Sequence, residues 1–173
     1  MKTGIGSCAV QNGELKVGAV VALNALGDIY DWKNSNQVAG LLSEDKASFC
    51  QSPAVIEESI RAVKNRFAGN TTLGVILTNA RFEKSALCKI AGMGHDGYAR
   101  SIRPVHTSFD GDSIFAVSGG ELEADQEVVG TMAAEMISEA ILSAVASAES
   151  AYGFPCAADL PFGPYSSDGK GRS

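Results

Sequence analysis

The chain has 173 residues, 45% of them hydrophobic and 20% charged, with a net charge of −6. That composition excludes a disordered chain and fits one domain large enough to bury a true core. The acidic balance and the scattering of Lys and Arg disfavour a nucleic-acid partner, which needs clustered cations.

Residues 16–24 form a short β-branched apolar run and predict a strand. Ala25-Leu26-Gly27-Asp28 reads as a turn and Ile29-Tyr30-Asp31-Trp32 as the partner strand, which together predict a hairpin. Upstream, Gly4-Ile5-Gly6-Ser7 reads as a glycine-rich turn, and the mixed polar stretch 33–51 reads as loop. A short helix is expected over 53–67, with Pro53 in its first turn and Val55, Ile56, Ile60 and Val63 at helical spacing. Ala68-Gly69-Asn70 then turns the chain into a second strand, 71–78. Leu87, Ile90, Ala91, Tyr98 and Ile102 mark a helix over about 83–102 that Pro104 stops. A third strand, 112–118, is entered through Asp110-Gly111. Val129, Met132, Ala133, Met136, Ile137, Ala140, Ile141, Ala144, Val145 and Ala148 mark one face of a final helix over about 124–151. Residues 161–173, rich in Gly and Ser, predict a flexible tail. The order of elements predicts a single α/β domain over 1–160, a mixed sheet covered by helices.

Gly92-Met93-Gly94-His95-Asp96-Gly97 matches GxGxxG but falls inside a helical pattern instead of after a strand. Close packing explains these glycines better than a dinucleotide, and no cofactor is expected. His95 and His106, the only histidines, have no partners at zinc-ligand spacing, so no metal is expected either. There is no GxSxG elbow. Cys8, Cys50, Cys88 and Cys156 form no CxxC pair and read as free thiols. With no apolar leader in residues 1–6, a cytoplasmic protein is expected. No membrane partner is expected, because the longest apolar-rich stretch, 128–151, is broken by Glu135, Glu139 and Glu149. Asp110-Gly111-Asp112 puts two carboxylates one residue apart at the mouth of a strand, which by itself suits a solvated turn.

Several segments together change that weighting. They are Asn70-Thr71-Thr72-Leu73-Gly74-Val75, Ala91-Gly92-Met93-Gly94-His95-Asp96-Gly97-Tyr98-Ala99-Arg100, Arg103-Pro104-Val105-His106-Thr107 and Phe109-Asp110-Gly111-Asp112. In order and spacing they resemble the DmpA-type aminopeptidases, a family related to β-peptidyl aminopeptidases and nylon-oligomer hydrolases. Lys2-Thr3-Gly4-Ile5-Gly6-Ser7 and the run 17–24 fit the same pattern. The resemblance implies a layered αββα sandwich of the DmpA/ornithine acetyltransferase type, similar to the N-terminal-nucleophile hydrolases. It makes 1–70 equivalent to the end of the family's α-subunit and 71–160 to its β-subunit. Family members also carry a long region upstream of the Lys2 motif. The resemblance further implies a homo-oligomer and a small peptide or amide substrate.

It also implies a precursor cut between Asn70 and Thr71. The Thr71 hydroxyl would then be the nucleophile and its freed α-amine the base, with an ordinary pKa of about 7.7–8.0. Asn24 matches the family's side-chain donor to the oxyanion, Lys2 a lysine near the nucleophile, and Asp110 and Asp112 the acidic residues that hold and polarise it. The expected activity is a self-processing amide hydrolase of the aminopeptidase type working through an acyl-enzyme. The alternatives are a related acyltransferase of the ornithine acetyltransferase type, or a truncated non-catalytic remnant.

Overall fold

The structure, a computed structural model, describes residues 1–50, 57–58 and 70–165. It opens on a hairpin whose two-residue loop is Gly13-Glu14, where Gly13 takes φ +61°, the positive value the first position of such a turn needs. The turn joins β1 (Ile5–Asn12) to β2 (Leu15–Ala22), paired antiparallel from Asn12↔Leu15 to Ile5↔Ala22. The expected hairpin between 16–24 and 29–32 is therefore incorrect, and so is the glycine-rich turn at Gly4–Ser7. Gly6 lies in β1 because a Cβ there would sit 2.1 Å from the Ala144 nitrogen. Its hydrogen side chain lets the strand backbone touch a helix backbone.

β3 (Asp28–Tyr30) instead pairs with β4 (Gln37–Ala39), inside the expected loop, and with the two-residue β6 (Ile102–Arg103). The principal sheet continues from β2 to β5 (Leu73–Ala80), antiparallel, and from β5 to β7 (Ser113–Leu122), parallel. The crossover between these parallel strands contains α1 (Lys84–Ser101), whose limits match the apolar rhythm. The second described helix is α2 (Gln126–Ala146). The Asp125 carboxylate caps it by accepting from the Glu127 and Val128 amides. The expected helix over 53–67 lies outside the described residues apart from Glu57 and Glu58, which are helical.

Both helices cover one face of the sheet β1-β2-β5-β7. Val17, Ala19 and Val21 of β2 and Ile76 of β5 alternate inward onto Ile137, Ile141 and Val145 of α2 and Ile90 and Tyr98 of α1. The GxGxxG glycines are packing devices. A Cβ on Gly94 would lie 2.7 Å from Ile76 Cδ1, and one on Gly97 2.4 Å from the Ala134 carbonyl oxygen. By length and composition α2 could cross a membrane, because its charges are few. Most of its apolar residues are buried in the core, while Glu139 reaches Lys33 and Trp32.

No described element covers the other face of the sheet. Ile5, Val20, Leu73, Leu77, Phe115 and Val117 are exposed on it. The described residues thus build one helical layer and one sheet layer of the expected αββα stack. Residues 161–165, placed in the tail by composition, are packed. The Phe162 ring meets Phe49 edge-on at 5.2 Å, and Tyr165 lies against the core.

Candidate functional site

The sheet register explains how residues far apart in sequence meet. Ile5, Ala22, Leu73 and Ser113 form the last cross-strand row at one end of the sheet. Just beyond that row lie Lys2 before β1, Asn24 after β2, Thr71 before β5, and Asp110 and Asp112 before β7. Every candidate residue from the sequence falls at this one edge.

The Asn70–Thr71 peptide is held from both sides. The Thr71 amide donates to the Asn24 carbonyl at 3.0 Å, and the Gly111 amide donates to the Asn70 carbonyl at 2.9 Å. Gly111 also hugs the side chain: a Cβ there would lie 2.7 Å from Thr71 Oγ1. The next residue is tied as well. The Ser113 amide donates to the Thr72 carbonyl at 3.0 Å, and the Thr72 amide donates to Asp112 Oδ1 at 3.0 Å. Thr71 is exposed while Thr72 is fully buried, so of the two adjacent hydroxyls only that of Thr71 is open to a substrate.

The two aspartates do different things. Asp110 Oδ2 accepts from the Thr107 amide at 3.0 Å and the Thr107 hydroxyl at 2.7 Å, which closes the loop leading to β7. Asp112 points inward with its side chain only 5% exposed. Burial holds its carboxyl above the usual carboxylate range. The Thr72 amide counters that rise, the nearby Asp110 charge adds to it, and His106 and His95 oppose it.

Lys2 and Asn24 line the same cleft of about 340 Å³ as Thr71, together with Thr3 and Leu73. The Lys2 ammonium donates to the Thr3 carbonyl at 2.6 Å, and the Asn24 contact with Thr71 is through its main chain. A larger hollow of about 580 Å³ lies on the uncovered sheet face over Val20, Leu77 and Val117, where it carries no candidate chemistry.

Sequence reasoning missed three members of this site. Gly111 acts through its amide, which no residue type advertises. His106 Nδ1 lies 3.6 Å from Asp112 Oδ2, and its ring meets that of His95 at 4.9 Å. Tyr98, buried on α1, donates through its hydroxyl to the Thr72 carbonyl at 3.3 Å and the Ser113 carbonyl at 3.4 Å. Burial first, and then Asp112, pushes the Tyr98 phenol well above its ordinary pKa, so it stays a donor. Among the described residues, no three His, Cys, Asp or Glu side chains cluster as a metal site would require.

Chemically, the arrangement presents a carbonyl with a fixed N–H donor, a neighbouring hydroxyl and a buried carboxylate. Such donors stabilise charge that develops on a carbonyl oxygen under attack.

Comparison with known proteins bears on the family and the fold of the chain. Residues 1–156 match peptidase family S58. An uncharacterized aminopeptidase of Mycobacterium leprae is 33% identical over 172 residues, covering 90% of this chain and 47% of that protein. The 6-aminohexanoate-oligomer endohydrolase of Paenarthrobacter ureafaciens is 30% identical, covering 82% of this chain and 44% of that protein. The chain spans about half the length of these curated relatives. The solved structure of the L-aminopeptidase D-Ala-esterase/amidase of Ochrobactrum anthropi superposes with a TM-score of 0.56 at 17% identity, over 89% of this chain and 43% of that one. That structure is described as a variant of the N-terminal-nucleophile hydrolase fold. The likeness establishes the mixed α/β fold.

Proposed function

Because this chain belongs to peptidase family S58, we propose that it is a self-processing amide hydrolase of the aminopeptidase type, with Thr71 as its N-terminal nucleophile. The observation that carries this reading is the clamp on the Asn70–Thr71 peptide. Its carbonyl accepts the Gly111 amide, and its own threonine hydroxyl sits against Gly111.

In processing, Thr71 Oγ1 bonds to the Asn70 carbonyl carbon and the carbon–nitrogen bond breaks. The hydroxyl proton ends on the departing nitrogen, and the Gly111 amide steadies the oxyanion in between. Water then opens the ester, leaving Asn70 with a carboxylate and Thr71 with a free hydroxyl and amine. On a small peptide or amide substrate the same hydroxyl forms the acyl-enzyme. The amine on the same residue takes its proton and later returns it to the leaving group. Asn24 serves as the side-chain donor to the substrate's oxyanion. Lys2, lining the same cleft, favours the neutral amine by its charge. Asp112 holds the start of β5, and Asp110 shapes the loop that presents Gly111. The uncovered apolar sheet face supports a homo-oligomer in which that face is buried.

The test uses two variants and an acceptor. Thr71→Ser retains cleavage at the 70–71 bond, because the hydroxyl stays, and Thr72→Ala cleaves like the parent. A parent whose Thr72→Ala variant is the one that fails to cleave contradicts the assignment. Incubating processed chain with a peptide amide plus an amine acceptor separates hydrolysis from acyl transfer. Free acid as the main product supports the hydrolase, and acylated acceptor supports the transferase.

A further inference from the structure

Among the described residues, four non-glycine residues have positive φ: Ser35, Lys46, His106 and Tyr152. Only His106, at φ +56°, stands beside the site. A side chain in the left-handed region costs free energy, and such strain gathers where geometry serves function. His106 uses that conformation to aim its imidazole at Asp112.

The carboxylate it meets has demanding surroundings. Asp112 is buried, lies beside the like charge of Asp110, and commits Oδ1 to the Thr72 amide. Its other oxygen faces His106 Nδ1 at ion-pair distance. Behind His106 stands His95 of α1, edge-on at 4.9 Å, and His95 in turn meets Tyr98 edge-on at 5.5 Å. The titratable groups facing Asp112 are therefore Asp110 and His106 from its own loop and His95 and Tyr98 from α1. Burial and then His106 hold the His95 imidazole below its ordinary pKa, while Asp112 and Asp96 pull it upward. A buried carboxylate without a donor or cation on its free oxygen turns toward water or takes up a proton. Either change loosens the Thr72 amide, which is one peptide from the nucleophile.

We infer that His106 is the positioning residue of this site: it holds the Asp112 carboxylate in place, and through the Thr72 amide it fixes the Asn70–Thr71 bond for attack. The inference rests on Thr71 being the nucleophile. His106 touches neither Thr71 nor its carbonyl in this account and acts only through Asp112.

The test compares His106→Gly with His106→Asn in the full chain. Both accept a positive φ, so neither adds backbone strain. Glycine removes the imidazole, whereas asparagine keeps an N–H donor near the Nδ1 position. Two quantities are read: the rate of cleavage at 70–71, and the pH midpoint at which the Thr72 amide nitrogen–proton NMR signal follows Asp112. In His106→Gly cleavage slows by about 10- to 100-fold, the scale of a sub-ångström misplacement. Its Thr72 midpoint moves to higher pH, because an influence that favours the ionised carboxylate has gone. His106→Asn restores most of the rate. A residue that merely fills a strained turn would leave the midpoint unmoved, since glycine relieves the strain. Parent-like cleavage and an unmoved midpoint in His106→Gly overturn the inference. If the parent itself stays uncut, the nucleophile assignment fails separately, and the midpoint alone then decides the role of His106: a rise supports it and no change refutes it.

Discussion

Replacing Gly111 with alanine separates the geometry of attack from the stability of the fold. The added Cβ would lie 2.7 Å from Thr71 Oγ1, against an ordinary contact of 3.4 Å or more. The next nearest atoms, Thr71 Cβ and Cγ2, are at 3.7 Å and raise no objection. The conflict therefore falls on one hydroxyl, and it is relieved by displacing that hydroxyl about 0.7 Å or by rotating it to another rotamer. Alanine keeps its backbone N–H, so the donor to the Asn70 carbonyl survives if the loop stays put. If the loop moves instead, that donor is lost, and both routes impair attack. The folding terms are small and opposed. Alanine lowers the entropy of the unfolded chain by about 0.4–1 kcal/mol, and a strained threonine rotamer costs about 0.5–1.5 kcal/mol. The melting temperature should shift by no more than about 2–4 °C. Cleavage should slow by about 10- to 100-fold. The assay follows fragments 1–70 and 71–173 by mass over time, with thermal melts on the same samples. A Gly111→Ala protein that cleaves at the parent's rate would show that Thr71 Oγ1 is not the attacking atom in this pose.

Ile137 of α2 is fully buried against Gly74 of β5 and Gly97 of α1. Ile137→Asp should lose about 3–5 kcal/mol, read by denaturant titration; a parent-like midpoint would misplace α2. Asp112 illustrates a cost of the site. Burial raises its folded-state pKa, so its ionised form opposes folding at neutral pH, and that opposition fades as pH falls through the raised value. Asp112→Asn should thus melt higher than the parent at neutral pH, with the gain vanishing near pH 4, and should cleave more slowly. A gain that grows toward acid would reverse the assigned sign. Light scattering should find self-association that Phe115→Glu and Leu77→Lys weaken, because both side chains stand on the uncovered sheet face. A parent that is monomeric at all concentrations would count against burial of that face between copies.

The helices were legible because their signals are local. Asp125 caps α2, and the spacing of Val129, Ala133, Ile137 and Ile141 repeats with the turn of a helix. β1 was not legible, since Gly6, Ser7, Cys8 and Gln11 look like turn chemistry until the nearby backbone of Ala140 and Ala144 shows why glycine is needed. Gly13, first residue of the Gly13-Glu14 loop, was a readable hairpin signal, obscured by the apolar run that follows it. β3, β4 and β6 are two or three residues long and exist only by pairing with distant segments, so no periodicity announces them. In the site, Asn24, Thr71, Asp110 and Asp112 could be named from motif order, because β-strand ends carry them to one edge. Gly111 could not, because its contribution is a backbone N–H. His106 could not, because its meaning depends on a tertiary contact with Asp112 and on a backbone angle.

The intact mass of the purified chain beside its Thr71→Ala variant addresses the central claim most directly. The account predicts that the parent separates into 1–70 and 71–173, the second beginning with a free threonine amine. The variant, lacking the hydroxyl, should remain one species of full mass. A contaminating protease acting on an exposed loop would cut both proteins alike. Equal fragment yields from parent and Thr71→Ala, or an uncut parent, would contradict self-processing by Thr71.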